Sequence, residues 1–144
     1  MCSSDLGMIR RLDHIAVAVS DLEEAIRRFA EDLGVPFAGQ QDVPTELTST
    51  AFFPIEGTRI ELVHPMGGQG PIAGFLQKRG PGLHHVCFET DDIEADVARL
   101  RAKGYQFLSE GTKPGAHGTR VIFVHPKSFG GVLLELAEHP KEHE

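Results

Sequence analysis

The segment Gly82-Leu83-His84-His85-Val86-Cys87-Phe88-Glu89-Thr90-Asp91-Asp92-Ile93 places a histidine on an apolar strand that runs directly into a helix start. The same arrangement occurs earlier, as Leu12-Asp13-His14-Ile15-Ala16-Val17-Ala18-Val19-Ser20-Asp21-Leu22. His14 stands before Asp21 at the same spacing as His85 before Asp92. Each segment is followed downstream by a glutamate inside an apolar run, Glu61-Leu62-Val63 in the first case and Glu135-Leu136-Ala137 in the second. The interval from His14 to His85 nearly equals that from Glu61 to Glu135. The chain reads as one unit written twice, with a His and a Glu in each copy.

Alternation along residues 11–19 puts Ile15, Val17 and Val19 on one strand face and His14, Ala16 and Ala18 on the other. The first face is suited to packing on a helix; the second, small and polar, is expected to line a cavity. Ser20-Asp21-Leu22-Glu23 has the form of a capping box with Ser20 as the cap. Leu22, Ile26, Phe29 and Leu33 recur at helical spacing, which predicts a helix over 21–33 that stops at Gly34. Strands are expected at about 47–53 and 58–63, joined by a hairpin turn at Pro54-Ile55-Glu56-Gly57. The Gly- and Pro-rich stretch 64–82 connects the units, with a short helix over Pro71–Lys78. In the second unit Asp91 is the expected helix cap, Ile93, Val97 and Leu100 the buried stripe, and strands follow near 105–109, 119–125 and 131–138. The class is α+β: two paired β-α-β-β-β modules forming a curved, cleft-like sheet. A single domain is expected over residues 8–144, with repeat units at about 11–65 and 82–140, and residues 1–7 as a disordered tail.

Composition agrees with a soluble globular chain of 144 residues, 40% hydrophobic and 24% charged. A formal net charge of -7 argues against nucleic acid as a main partner. With Cys2 and Cys87 as its only cysteines the chain is not expected to carry a disulfide framework, which points to a reducing, cytoplasmic setting. A run of about 18 apolar residues, as a membrane span needs, is not present. Met1–Gly7 has no basic region followed by an apolar one, so a signal peptide is not expected, and Met8 is a candidate start.

A lone strand histidine such as His14 is ordinarily solvated or hydrogen-bonded within the structure. Glu61, between Ile60 and Leu62, either faces water or pairs with Arg59, and Glu135, inside Val132-Leu133-Leu134-Glu135-Leu136, needs a partner for its charge. The duplication changes this weighing, because a pseudo-twofold axis would bring both histidines and both glutamates to one cleft. Two imidazoles and two carboxylates suit a first-row divalent ion such as Co²⁺, Mn²⁺, Ni²⁺ or Zn²⁺. Among the remaining histidines, His84 has the opposite strand parity to His85 and is expected to face the helix side. His64 and His139 have the character of strand-end residues, and His143 belongs to the tail.

With Leu12–Val19, Pro71–Leu76, Gly82–Val86, Gly115-Ala116-His117-Gly118 and His125–Leu136, the chain resembles the vicinal-oxygen-chelate superfamily from Arg11 to Pro140. Within that superfamily it is similar to the epimerase family that acts on methylmalonyl-CoA. The resemblance implies that His14, Glu61, His85 and Glu135 are metal ligands, that methylmalonyl-CoA is the substrate, and that the protein is a homodimer. Many of these epimerases carry glutamine where this chain has Glu61, and His/Glu/His/Glu is also the ligand set of bacterial-type glyoxalase I. Thr50 aligns with the position of a glutamate base found in some members, and Glu46 lies four residues earlier on the same expected strand face.

The implied reaction inverts C2 through an enolate whose charge falls on the thioester oxygen and is stabilised by the metal. A free carboxylate, with a pKa of about 4, is a weak base at neutral pH, and desolvation strengthens it. Glu135 is the first expected proton-transfer group; Glu46 and Glu61 are the candidates for the second. Lys127, Ser128 and His117 are expected to hold the malonyl carboxylate or a phosphate. The rival readings are a glyoxalase I-type lactoylglutathione lyase and a non-catalytic binding protein of the same fold, which needs no His/Glu quartet.

Overall fold

The structure is a computed structural model that describes residues 8–141. The tail 1–7, with Cys2, and His143 lie outside the described residues. Its elements are β1 (Ile9–Ala18), α1 (Leu22–Arg27), β2 (Gln40–Val43), β3 (Thr48–Ile55), β4 (Thr58–Pro65), α2 (Pro71–Arg79), β5 (Gly82–Thr90), α3 (Ile93–Ala102), β6 (Lys113–Pro114), β7 (Arg120–Val124) and β8 (Leu134–Glu138). The β-α-β-β-β succession therefore occurs twice, and the class is α+β. Two compact units are defined by backbone proximity, residues 14–85 and residues 8–13 with 86–141, so the division falls inside β1 and β5. No described helix is long and apolar enough to cross a membrane.

In the unit 14–85 the strand order is β2-β3-β4-β1. β1 runs parallel to β4 with Ala16 opposite Glu61, and β3 runs antiparallel to β4 with Phe52 opposite Glu61. The β3–β4 turn is closed by Glu56 and Gly57, both at positive φ (31° and 84°), the backbone that a two-residue hairpin requires. Val17 and Val19 pack with Leu62, Phe53 and the α1 residues Leu22, Ala25 and Ile26. On the opposite face Ala16, Ala18 and Val63 pack against Ile72, Phe75 and Leu76 of α2. The two alanines here pack under α2, and their small size lets the helix lie close to the sheet.

The other unit has the order β5-β8-β7-β6. β5 and β8 are parallel, with Cys87 opposite Glu135, and β7 and β8 antiparallel, with Phe123 opposite Glu135. Ile93, Val97, Ile122 and Leu136 form its main core, joined by Phe88 and Leu100. Asp13, 1% exposed, accepts a hydrogen bond from His139 Nε2 at 2.7 Å, so the histidine that ends β8 serves a buried charge.

Several expected boundaries move. Asp21, not Ser20, caps α1, its carboxylate accepting from Glu24 N at 3.0 Å, and α1 passes at Arg28 into a π-helical turn that reaches Asp32. Asp92, not Asp91, caps α3 by accepting from Ala95 N at 3.1 Å. Asp91 is used elsewhere: its N–H donates to Met8 O and its carboxylate accepts from Met8 N. The strand expected at 105–109 is reduced to a single bridge, Phe107 with Val124, because Ser128 Oγ takes the Gln106 N–H that a ladder would use. β8 begins only at Leu134, after a 3-10 turn Pro126–Phe129 and two positive-φ glycines, Gly130 and Gly131.

Removing a helix cap of this kind costs about 1 kcal/mol. Asp92→Ala should lower the unfolding free energy by that amount in urea titration. Ser20→Ala, which caps nothing, should change it by less than about 0.5 kcal/mol.

Candidate metal centre

His14, Glu61, His85 and Glu135 are all buried, at 5%, 5%, 9% and 6% exposure. Three of them belong to the unit 14–85. β1 and β4 carry His14 and Glu61 on the face that α2 covers further along, because the parallel register sets Ala16 opposite Glu61. Oε2 of Glu61 lies 3.3 Å from His14 Nδ1 and accepts a hydrogen bond from Arg59 Nε at 2.8 Å. Arg59 is itself largely covered, its side chain 16% exposed, with its guanidinium 5.7 Å from the centre of the Phe52 ring.

The other edge of the His14 ring faces His85. Their Nε2 atoms are 3.2 Å apart, with the rings nearly perpendicular at 77°. Two imidazole nitrogens at that separation must share a proton or a cation. Two ring nitrogens bound at about 2.1 Å to one ion, at a right angle, are about 3 Å apart. The buried, facing nitrogens therefore fit a divalent ion, while the Glu61 carboxylate holds the opposite edge of the His14 ring. Nδ1 of His85 is in turn 2.8 Å from Nδ1 of His84.

Glu135 sits on β8 of the other unit, between Leu134 and Leu136, paired across the ladder with Cys87 and Phe123. Glu46 occupies a 3-10 turn, Pro44–Glu46, rather than a strand: Leu47 at φ 52° interrupts the extended backbone, so Glu46 does not share the β3 face of Thr50. Thr50 is buried on β3. His117 is exposed on a turn at φ 59°. Lys127 is also exposed, and its backbone N–H donates to His125 Nδ1. Ser128 Oγ accepts from Gln106 N at 3.1 Å. Reading the sequence finds Arg59 as a partner for Glu61 but not the His84–His85 contact, because neighbours on a strand point to opposite faces.

The model of the Glyoxalase/Bleomycin resistance protein/Dioxygenase superfamily matches residues 13–123. The chain belongs to that superfamily. It is 45% identical over 137 residues to the mitochondrial methylmalonyl-CoA epimerase of Mus musculus, covering 94% of this chain and 77% of that protein. It is 45% identical over 133 residues to the ethylmalonyl-CoA/methylmalonyl-CoA epimerase of Cereibacter sphaeroides, covering 91% and 99%. Among solved structures, methylmalonyl-CoA epimerase from Mycobacterium tuberculosis superposes with a TM-score of 0.88 at 33% identity, covering 98% of this chain and 94% of that one. A methylmalonyl-CoA epimerase in complex with methylmalonyl-CoA and NH4+ superposes with a TM-score of 0.88 at 29% identity, covering 92% and 96%.

Glu61 is a buried carboxylate whose charge Arg59 opposes at hydrogen-bond distance, and breaking such a pair costs about 3 kcal/mol or more. Arg59→Leu should therefore destabilise the protein by about that amount in chemical denaturation. Arg59→Leu combined with Glu61→Gln should recover most of the loss, since no charge is then left unpaired.

Proposed function

We propose that this chain is an epimerase that inverts C2 of methylmalonyl-CoA. The observation that carries the reading is 45% identity to an epimerase of that substrate class over 91% of this chain and 99% of the relative. The buried histidine pair with facing Nε2 atoms, which suits a Lewis-acidic ion, supports it.

His14, Glu61 and His85 are the ligands we propose within the unit 14–85. Glu135 is proposed as the fourth on the strength of the family resemblance and of its burial in an apolar strand. A divalent ion held there supplies positive charge for the thioester oxygen, on which negative charge develops when C2 loses its hydrogen. Co²⁺ is the ion we would test first, then Mn²⁺, Ni²⁺ and Zn²⁺.

The protein's own groups carry the proton. The C2–H bond lies between a thioester and a carboxylate. Its electron pair moves onto the thioester carbonyl as a base takes the proton, and it returns to C2 when a proton is delivered to the opposite face. Glu135 is the proposed group on one face; Glu46, half-buried ahead of β3, is proposed on the other, with Glu61 as its competitor. Glu61 is already tied to Arg59 Nε and His14 Nδ1, which favours Glu46 for a group that must change its protonation. Lys127, Ser128 and His117 are proposed for the malonyl carboxylate or the CoA phosphates. A homodimer is proposed from the resemblance.

Proton NMR of methylmalonyl-CoA in D₂O tests the reaction. Protein loaded with Co²⁺ should exchange the C2 hydrogen for deuterium and collapse the methyl doublet, chelator should stop the exchange, and added Co²⁺ should restore it. Glu135→Gln should reduce exchange by at least about a hundredfold, the scale of a general acid–base group. Folded, metal-loaded protein that exchanges no C2 hydrogen, yet isomerises a glutathione hemithioacetal, would transfer the assignment to the lyase chemistry of the same superfamily.

A further inference from the structure

His84 and His85 follow one another on β5, and alternation alone would send their rings to opposite faces. The rings nevertheless meet: Nδ1 of His84 is 2.8 Å from Nδ1 of His85, with centroids 5.0 Å apart and planes at 78°. The His84 ring also abuts Phe75 of α2, edge to face, at 4.9 Å and 81°. Phe75 in turn lies 5.8 Å beneath the Arg79 guanidinium. His84 is thus braced by a helix while it touches the one ring nitrogen of His85 that does not face His14.

Two ring nitrogens at this hydrogen-bond distance hold one proton between them. A neutral imidazole carries one N–H, so the nitrogen that keeps it decides which nitrogen offers a lone pair. His85 can present a lone pair at Nε2, towards His14, only if its own proton is on Nδ1. His84 Nδ1 must then accept that proton's hydrogen bond and keep its own proton on Nε2. We propose that His84 is a positioning residue: it fixes His85 as the Nδ1–H tautomer and so makes Nε2 the ligand atom. The inference rests on the metal reading above. It gives His84 the task that a carboxylate or a backbone carbonyl performs behind many metal-bound histidines.

The test compares replacements that keep or remove the acceptor, using the full chain and Co²⁺ alone as the probe in calorimetry. His84→Asn sets an amide oxygen near the Nδ1 position, whereas His84→Phe keeps a ring against Phe75 without an acceptor. Should the added ring volume prevent folding, His84→Leu removes the acceptor in a smaller side chain. The acceptor-free variants should bind Co²⁺ about tenfold to a hundredfold more weakly than wild type, the usual loss for a partner of this kind. His84→Asn should stay close to wild type. In Zn²⁺-loaded wild type, nitrogen NMR should find the His85 proton on Nδ1. Wild-type Co²⁺ affinity in the acceptor-free variants, or an equal loss in His84→Asn, overturns the assignment of His84 while leaving the metal reading standing. A wild-type protein that binds no Co²⁺ overturns both.

Discussion

A carboxylate buried in a sheet costs several kcal/mol unless both charge and hydrogen bonds are answered, and Glu61 is such a carboxylate. It sits on β4 between Ile60 and Leu62 with 5% of its surface exposed. Arg59, two residues away on the same strand face, meets its Oε2 at 2.8 Å, and His14 Nδ1 approaches the same oxygen at 3.3 Å. That answer has a consequence for the histidine. A ring nitrogen set against a carboxylate is the one that carries the proton, which turns the lone pair of His14 to Nε2. Nε2 is the atom that faces His85. The ion pair on β4 therefore sets which edge of His14 is available for a ligand.

The same ladder recurs in each half of the chain. Two residues beyond His14, Ala16 lies directly opposite Glu61; two residues beyond His85, Cys87 lies directly opposite Glu135. The glutamates stand slightly further apart in sequence than the histidines. The extra length is taken up before β8, and the pairing register is the same. Register is the quantity preserved because a slip by one residue would turn every side chain of the strand to the other face. What covers the strands is less constrained. α2 packs on Ala16 and Ala18 in one unit, while Cys87, Val121 and Ala137 form a small cluster in the other.

These differences explain what is legible in the sequence. β1, β3, β4, β5, β7 and β8 and their parity can be read because half-buried strands alternate and helices recur at 3.6 residues, both local patterns. The short edge strands β2 and β6, by contrast, fall where no strand is expected. The caps fall one residue from their expected positions because Ser20-Asp21 and Asp91-Asp92 each offer two competent side chains. Asp91 is diverted by Met8, a contact 83 positions away that no local pattern announces. The strand at 105–109 is lost in the same way, to Ser128, well beyond the reach of a local pattern. At the candidate centre, the His and Glu residues stand out as polar groups in apolar strands, and Arg59 is visible as a same-face neighbour of Glu61. His84 is hidden, since parity sends it away from His85 and only packing against Phe75 shows why the two rings meet.

The residues proposed for chemistry and those proposed for recognition differ in how the fold holds them. His14, Glu61, His85 and Glu135 are buried on strands, where ladder hydrogen bonds and packing on both sides fix the backbone. His117 and Lys127 are exposed on short turns, and His117 adopts the left-handed backbone. A reaction that draws a proton from carbon depends on an electrophile held to within a fraction of an ångström, which strands supply and loops do not. Recognition of an acyl-CoA tolerates looser placement, because carboxylates and phosphates bind through charge that reaches further. Within a superfamily, then, the strand-borne residues set the kind of bond that can be activated, and the turns set which molecule brings it. Glu61 with Arg59 belongs to the first group. Its effect should therefore fall on the chemistry of the centre, whereas a change of acyl substrate should be sought in the turns at 115–118 and 125–131.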